Sequence, residues 1–164
     1  MALNKSGLIS DLTNIFAGYP ASAVIAATQI ANAYDSYASA AQHCGLLNPT
    51  LVNLSDLRDG LQASMENQGS YATIAQEWAD AFEAYWTGAL FGVTGAVTTI
   101  TGKAAFQAGL ESMWSTLTGN PATTFAIAAQ QHGDLMDTFT KTVNANDTVL
   151  PNPPGTGCGP APIT

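Results

Sequence analysis

One short segment recurs three times along this chain, and no other feature narrows its fold as much. Shifting residues 25–37 by 48 positions lays Ala27, Gln29, Ala31, Asn32, Ala33, Tyr34, Asp35 and Tyr37 on Ala75, Glu77, Ala79, Asp80, Ala81, Phe82, Glu83 and Tyr85. A shift of 102 lays Ile25, Ala26, Ala27, Gln29, Ala31, Asn32, Tyr34, Asp35, Ser36 and Tyr37 on Ile127, Ala128, Ala129, Gln131, Gly133, Asp134, Met136, Asp137, Thr138 and Phe139. The shared line is Ala, any, Gln/Glu, any, small, Asn/Asp, any, large apolar, Asp/Glu, small, Tyr/Phe. A fixed internal period tells how many supersecondary units a fold is built from. The number here is three.

Each copy has the spacing of a helix. Ala27, Ile30, Ala31, Tyr34 and Tyr37 or Ala38 recur at intervals of three and four and share one stripe. The second copy repeats the stripe with Ala75, Trp78, Ala79, Phe82 and Tyr85 or Trp86, the third with Ala129, His132, Gly133, Met136 and Phe139. Small residues alternating with aromatic ones let two helices approach closely, the large side chain filling the space beside each Ala. Asn32, Asp35 and Ser36 fall off the stripe, towards water or a neighbour.

A leading helix precedes each copy. Leu8, Leu12, Ile15 and Phe16 mark the first, after Asn4 or Ser6 as cap, and Gly18-Tyr19-Pro20 ends it. Leu57-x-x-x-Leu61 repeats Leu8-x-x-x-Leu12, with Ser55 as expected cap and Met65 further along. From Lys103 a third carries Phe106, Leu110, Met113, Trp114 and Leu117, and Gly119-Asn120-Pro121 mirrors Gly18-Tyr19-Pro20. The repeat helices are expected to run to about Gln42, where His43-Cys44-Gly45 offers a C-terminal cap, to Trp86 from a Ser70 cap, and to near Lys141. The expectation is an all-α fold of about six helices in three hairpins, spanning roughly 6–43, 55–87 and 103–142 of a helical domain 1–147. Between the second and third hairpins, Gly88, Gly92, Gly95 and Gly102 punctuate a Thr/Val-rich stretch that fits either a Gly-kinked helix or extended chain. Residues 148–164, with Pro151, Pro153, Pro154, Gly155, Gly157, Gly159, Pro160 and Pro162, read as an extended arm laid across a neighbour.

Composition then limits the partners. The chain has 164 residues, enough for one domain with a core. Only 10% are charged, far below the usual quarter, so much of the surface is expected to be covered by other subunits. Four Lys+Arg against twelve Asp+Glu leave a net charge of −8, which argues against nucleic acid or an anionic membrane as direct partner. The longest apolar run, 89–100, is shorter than the roughly 20 residues a bilayer requires and is broken by Thr and Gly. No basic stretch with a hydrophobic core and cleavage site opens the chain, so no secretory signal is expected.

Little here points to catalysis. Asp35, Glu83 and Asp137 share one repeat position, with Asn32, Asp80 and Asp134 three residues earlier, a spacing that puts two oxygens on one helix face as in carboxylate metal sites. Such sites also take a His from the same helix, and His43 and His132 do not recur with the acids, so a solvated or helix-contacting acidic edge is the expectation. His43 beside Cys44 points away from it on a helix, and His132 lies on the apolar stripe. Cys44 and Cys158 are too few for a disulfide scaffold, and a bridge within or between chains is left open. There is no phosphate loop, nucleophile elbow or His-Glu-x-x-His. No catalytic residue, cofactor or metal ligand is assigned.

Two resemblances remain. Trp86-Thr87-Gly88 between helical segments resembles the Trp-x-Gly turn of the small helical-hairpin proteins exported by type VII secretion, which implies a helical secretion or adaptor protein. A broader resemblance covers most of the chain. The opening Met-Ala-Leu-Asn-Lys-x-x-Leu, the repeated Leu-x-x-x-Leu helix, the stretch Ile74-Ala75-Gln76-Glu77-Trp78-Ala79-Asp80-Ala81-Phe82-Glu83-Ala84-Tyr85 before a Gly/Thr/Val segment, and the Pro/Gly-rich tail ending in Ile163-Thr164 are similar to small, acidic virion proteins of tailed bacteriophages. That likeness implies a non-enzymatic structural subunit of the tail, neck or baseplate. It would be assembled in the host cytoplasm as a homo-oligomer in contact with other virion proteins. Tyr34, Tyr37, Trp78, Phe82, Tyr85, Trp86, Trp114, Met136, Phe139, Pro153 and Pro154 are the residues expected to carry packing and assembly. A metal-dependent enzyme built on the repeated acids is the remaining alternative.

Overall fold

A computed structural model describes residues 3–43, 48–91, 95–118, 120, 124–146 and 161–164. Cys44, Gly45, Gly92, Gly119, Pro121, Pro153, Pro154, Cys158 and the arm over 148–160 lie outside the described residues. Six helices are present among those described: α1 Lys5–Ala17, α2 Ala23–Ala38, α3 Leu54–Glu66, α4 Tyr71–Trp86, α5 Lys103–Leu117 and α6 Phe125–Thr140. The fold is all-α, as the periodicity predicts, and the three hairpins are α1–α2, α3–α4 and α5–α6. Each helix packs against the next and α6 packs back on α1, so the hairpins close into a ring.

The repeat holds at the level of single side chains. The second helix of every hairpin is 16 residues long and opens on a hydroxyl cap. Ser22, Ser70 and Thr124 accept from the backbone N–H of Ile25, Thr73 and Ile127 at 3.3, 3.2 and 3.3 Å. These helices carry seven buried residues each against two or three on α1, α3 and α5, so they form the inner layer. Their interior is aromatic. Phe82 meets Tyr34, Phe106 and Phe139 with ring centroids 4.6, 5.0 and 6.0 Å apart. Tyr34, Tyr37, Trp78, Phe82, Tyr85, Trp86, Met136 and Phe139 are all buried, and Trp114 is half-buried.

The repeated acids follow the ring as well. The Tyr37 hydroxyl of the first copy donates to Asp137 of the third at 2.7 Å, and the Tyr85 hydroxyl of the second donates to Asp35 of the first at 2.7 Å. The third link of that cycle would run from Phe139 to Glu83, but Phe139 has no hydroxyl. Glu83 instead accepts from Lys103 at 2.6 Å. Lys103 and Lys5 open α5 and α1, and each reaches an acid of the preceding copy, Asp80 at 2.6 Å and Asp134 at 2.9 Å. At the corresponding place in the middle hairpin, Leu54 and Asn32 are both uncharged. The acidic edge therefore makes helix contacts, while Asp80 and Asp134 keep about half of their side-chain surface in water. These exposed ion pairs contribute little individually, about 0–1 kcal/mol each. Asp137 is different: it is buried and also accepts from Lys141 at 2.7 Å. Tyr37→Phe should cost about 2 kcal/mol in urea denaturation, since it strips a buried carboxylate of one of its two partners. A loss below about 0.5 kcal/mol would show that the hydroxyl is dispensable.

Sequence reasoning and structure part at the end of the bundle where α2, α4 and α6 finish. Within the 88–102 stretch, which fits either a Gly-kinked helix or extended chain by sequence, Leu90–Phe91 and Gly95–Ile100 are strands. A five-stranded antiparallel sheet in the order β1 to β5 gathers here from Pro49–Leu51, Leu90–Phe91, Gly95–Ile100, Val143–Asn146 and Ala161–Pro162. Gly88 turns α4 into β2 at φ +77°, a conformation that favours glycine. The ring of Trp86 stacks on Phe91 at 6.1 Å and 5°, seating the sheet on the aromatic core. The last four residues lie on their own chain: Thr164 and Gln42 exchange backbone hydrogen bonds at 2.8 and 3.0 Å, and Ile163 is buried. The final part of the expected arm is thus a cis strand.

Helix ends shift by a few residues. Asn4, not Ser6, caps α1. α2 begins at Ala23 and stops at Ala38, short of Gln42, with Asn48 Nδ2 donating to the carbonyls of Ser39 and Ala41. α3 begins at Leu54, so Ser55 lies inside it. Asn53 before it donates its amide to the carbonyls of Ala84 and Thr87 at 3.0 and 2.8 Å, tying α3 to the end of α4.

Candidate functional site

At the pole opposite the sheet the three copies converge around a cavity of about 600 Å³. Two sets of matching positions form its walls: Ile30, Trp78 and His132 from the inner helices, and Phe16, Met65 and Trp114 from the outer ones. Small residues at the neighbouring inner positions, Ala27, Ala75 and Ala129, contribute no bulk to fill the centre. The side chains that do fill it further down, Tyr34, Phe82 and Met136, lie one turn along each helix. None of the lining residues described is Asp, Glu, Lys or Arg.

Polar chemistry in the cavity is confined to a few groups. His132 is 7% exposed, with Nδ1 2.8 Å from the Ala128 carbonyl and Nε2 3.2 Å from Trp114 Nε1. The indole can only donate, so Nε2 accepts and Nδ1 carries the proton to the carbonyl. Burial lowers the imidazole pKa to about 4, despite the opposing effect of the Ala128 hydrogen bond. His132 is therefore neutral and fully committed, a core histidine as the sequence suggested. Phe16, Trp78 and Trp114 surround it with ring centroids 5.2, 5.7 and 6.1 Å away. Trp78 stands edge-on to Trp114 at 5.4 Å and 80°. Its Nε1–H is buried and finds no acceptor among the described residues, an arrangement that costs about 1–3 kcal/mol if it stays so.

At this end of the bundle lie the most exposed large apolar side chains described, two of which, Tyr19 and Phe125, line the cavity. Tyr19, at 73% exposure, sits between α1 and α2, while Val24, Ile25, Tyr71, Phe125 and Ile127 occupy the first turns of α2, α4 and α6. Tyr19 is the one non-glycine residue among those described with a left-handed backbone, φ 46°, and its ring packs edge-on to Phe125 at 5.1 Å. The Tyr71 hydroxyl donates to Thr118 at 2.8 Å.

The tyrosine hydroxyls deeper in the bundle form structural networks. Trp86 Nε1 donates to Tyr34 at 2.8 Å, Tyr34 donates to Thr140 at 2.7 Å, and Thr140 donates to the Met136 carbonyl at 2.8 Å. Burial pushes the Tyr34, Tyr37 and Tyr85 hydroxyls well above the ordinary tyrosine range, and the carboxylates beside Tyr37 and Tyr85 add to it, so all three stay protonated. The acid pairs at the i, i+3 spacing do not converge: each lies on a different helix and faces a hydroxyl or a lysine. Among the described residues no cluster of His, Cys, Asp and Glu is placed to hold a metal, and no helix is long and apolar enough to cross a membrane.

Of the residues singled out from sequence, Trp78 and Trp114 line the cavity, and the other described ones build the core beneath it. Phe16, Tyr19, Met65 and Phe125 were not recognised as cavity or rim residues. Matching the leading helices would have aligned Phe16, Met65 and Trp114 as a size-variable position, but nothing in a helix pattern says that such a position leaves space. Comparisons of the chain with protein-family models, with curated proteins and with solved structures find no match.

Proposed function

We propose that this chain is a non-enzymatic structural subunit of a virion, in the tail, neck or baseplate region of a tailed bacteriophage, and that it meets neighbouring subunits through the apolar pole. The observation that carries the reading is the gathering of Tyr19, Val24, Ile25, Tyr71, Phe125 and Ile127 at one end of the bundle. Apolar side chains scattered singly are ordinary, whereas a cluster of them marks a contact surface. The distribution of charge supports it. Lys5, Arg58, Lys103 and Lys141 all pair with carboxylates of their own chain, so the cations are spent on the fold rather than offered to a substrate. The resemblance of the repeated helices to tailed-phage proteins supplies the kind of assembly. For the adaptor alternative, α4 would have to pass through Trp86-Thr87-Gly88 into a second long helix, and it passes into β2 instead.

Light scattering tests the reading. The purified chain should run as a discrete multiple of 16.9 kDa, and the combined variant Tyr19→Ser, Ile25→Gln, Phe125→Ser, Ile127→Gln should run as a monomer with its cooperative thermal unfolding retained. Monomeric behaviour of the parent chain at high concentration, together with failure to be retained on isolated virion tails, would sink it.

A further inference from the structure

We infer that the slot between β4 and Gln42, which the chain's own strand 161–164 fills, also takes the 161–164 strand of a second copy, so that neighbouring copies exchange this strand. The slot has two built sides. On one, β4 lays Asn144 and Ala145 opposite Pro162 and Ala161, and the Ile163 N–H donates to the Val143 carbonyl at 3.1 Å. On the other, Thr164 and Gln42 exchange both backbone hydrogen bonds, at 3.0 and 2.8 Å. Ile163, 1% exposed, joins the core cluster that includes Val143 and Ala145. Backbone pairing thus supplies the attraction, and one buried apolar side chain fixes the register.

The length of chain before the strand points to a second copy as the occupant. Ala145 and Ala161 stand directly opposite in an antiparallel pair, so a turn of about two to five residues would join β4 to β5. Residues 92–94 suffice between β2 and β3. Between β4 and β5 the sequence instead places residues 147–160, with prolines at 151, 153, 154 and 160. Drawn out at about 3.1 Å per residue, Pro-rich sequence of this length reaches roughly 40 Å, far more than the hairpin uses. Every bond that holds the strand in its own slot is remade in a neighbour's, so the balance between the two turns on local concentration. The closed form prevails in dilute solution, and exchange prevails where copies are held within reach of one another. The inference stands apart from contact through the apolar pole, because the sheet lies at the other end of the bundle.

Disulfide trapping tests this on full chains in which Cys44→Ser and Cys158→Ser remove the native thiols. One chain carries Gln42→Cys, and the other, isotopically labelled, carries Thr164→Cys. The two positions form a hydrogen-bonded antiparallel pair, with Cα atoms about 5.5 Å apart, within the span of a disulfide. Equilibrated together at about 1 mM and then mildly oxidised, the chains should join at positions 42 and 164. The yield, read by mass spectrometry, should exceed by about tenfold that of a control in which Ser112→Cys, at an exposed helix position, replaces Gln42→Cys. Adding Ile163→Ala to the labelled chain should lower the yield about fivefold while unfolding stays cooperative, because that strand competes poorly with the acceptor's own. Equal yields in trap and control, as association through the apolar pole alone would give, overturn the inference. So does a yield that Ile163→Ala leaves unchanged.

Discussion

Phe82→Ala should remove about 4 kcal/mol of stability and lower the thermal midpoint by about 12 °C. The size of the effect follows from where this ring sits. Phe82 is fully buried, and it touches rings from all three hairpins: Tyr34 of the first, Trp78 of its own helix, and Phe106 and Phe139 of the third. Truncation forfeits the transfer free energy of the ring and leaves a hole that none of these neighbours can close without leaving its rotamer. Phe82→Leu keeps most of the volume and should cost about 1.5 kcal/mol. Urea denaturation of the three proteins gives both numbers. A loss below about 1 kcal/mol for the alanine variant would mean that the hairpins do not meet at this ring.

Acid should destabilise the protein through His132. Burial holds the imidazole at about 4 in the folded chain, against 6.5 ordinarily, so the unfolded chain takes up the proton first. The contribution is complete above the unfolded value, declines as pH falls from about 6.5, and is lost by about 4. Between about pH 7.5 and 4.5 the loss should reach roughly 2.5 kcal/mol. His132→Gln cannot gain a proton in this range, and its side-chain carbonyl can still accept from Trp114. The difference in stability between the two proteins, measured by urea midpoints across the window, should therefore vanish or reverse toward low pH. Superimposable profiles would show that His132 is already solvated or charged. Asp134 titrates lower still, because Gln130 and Lys5 bond to its carboxylate, so it does not obscure the window.

What could be read from the one-dimensional pattern was what depends on neighbours along a helix. Spacings of three and four place Ala27, Ile30, Ala31, Tyr34 and Tyr37 on one stripe whatever surrounds them, and the threefold recurrence of that stripe predicts six helices in three hairpins. Tyr34, Tyr37, Trp78, Phe82, Tyr85, Trp86, Met136 and Phe139 were recognised as packing residues on the same ground, and they are buried. Three things needed the fold. The sheet joins strands distant in sequence, and β2 and β5 are two residues each, too short to show alternation; pairing with β3 and β4 is what makes them extended. The tyrosine hydroxyls and Lys103 that meet the shared acid position come from other hairpins, so it holds a tyrosine hydroxyl in two copies and a lysine in the third, with Lys141 of its own hairpin added at Asp137. The cavity is likewise a property of three positions at once. Ile30, Trp78 and His132 each look like an ordinary core residue on their own helix, and only their convergence with Phe16, Met65 and Trp114 decides that the space between them is left open.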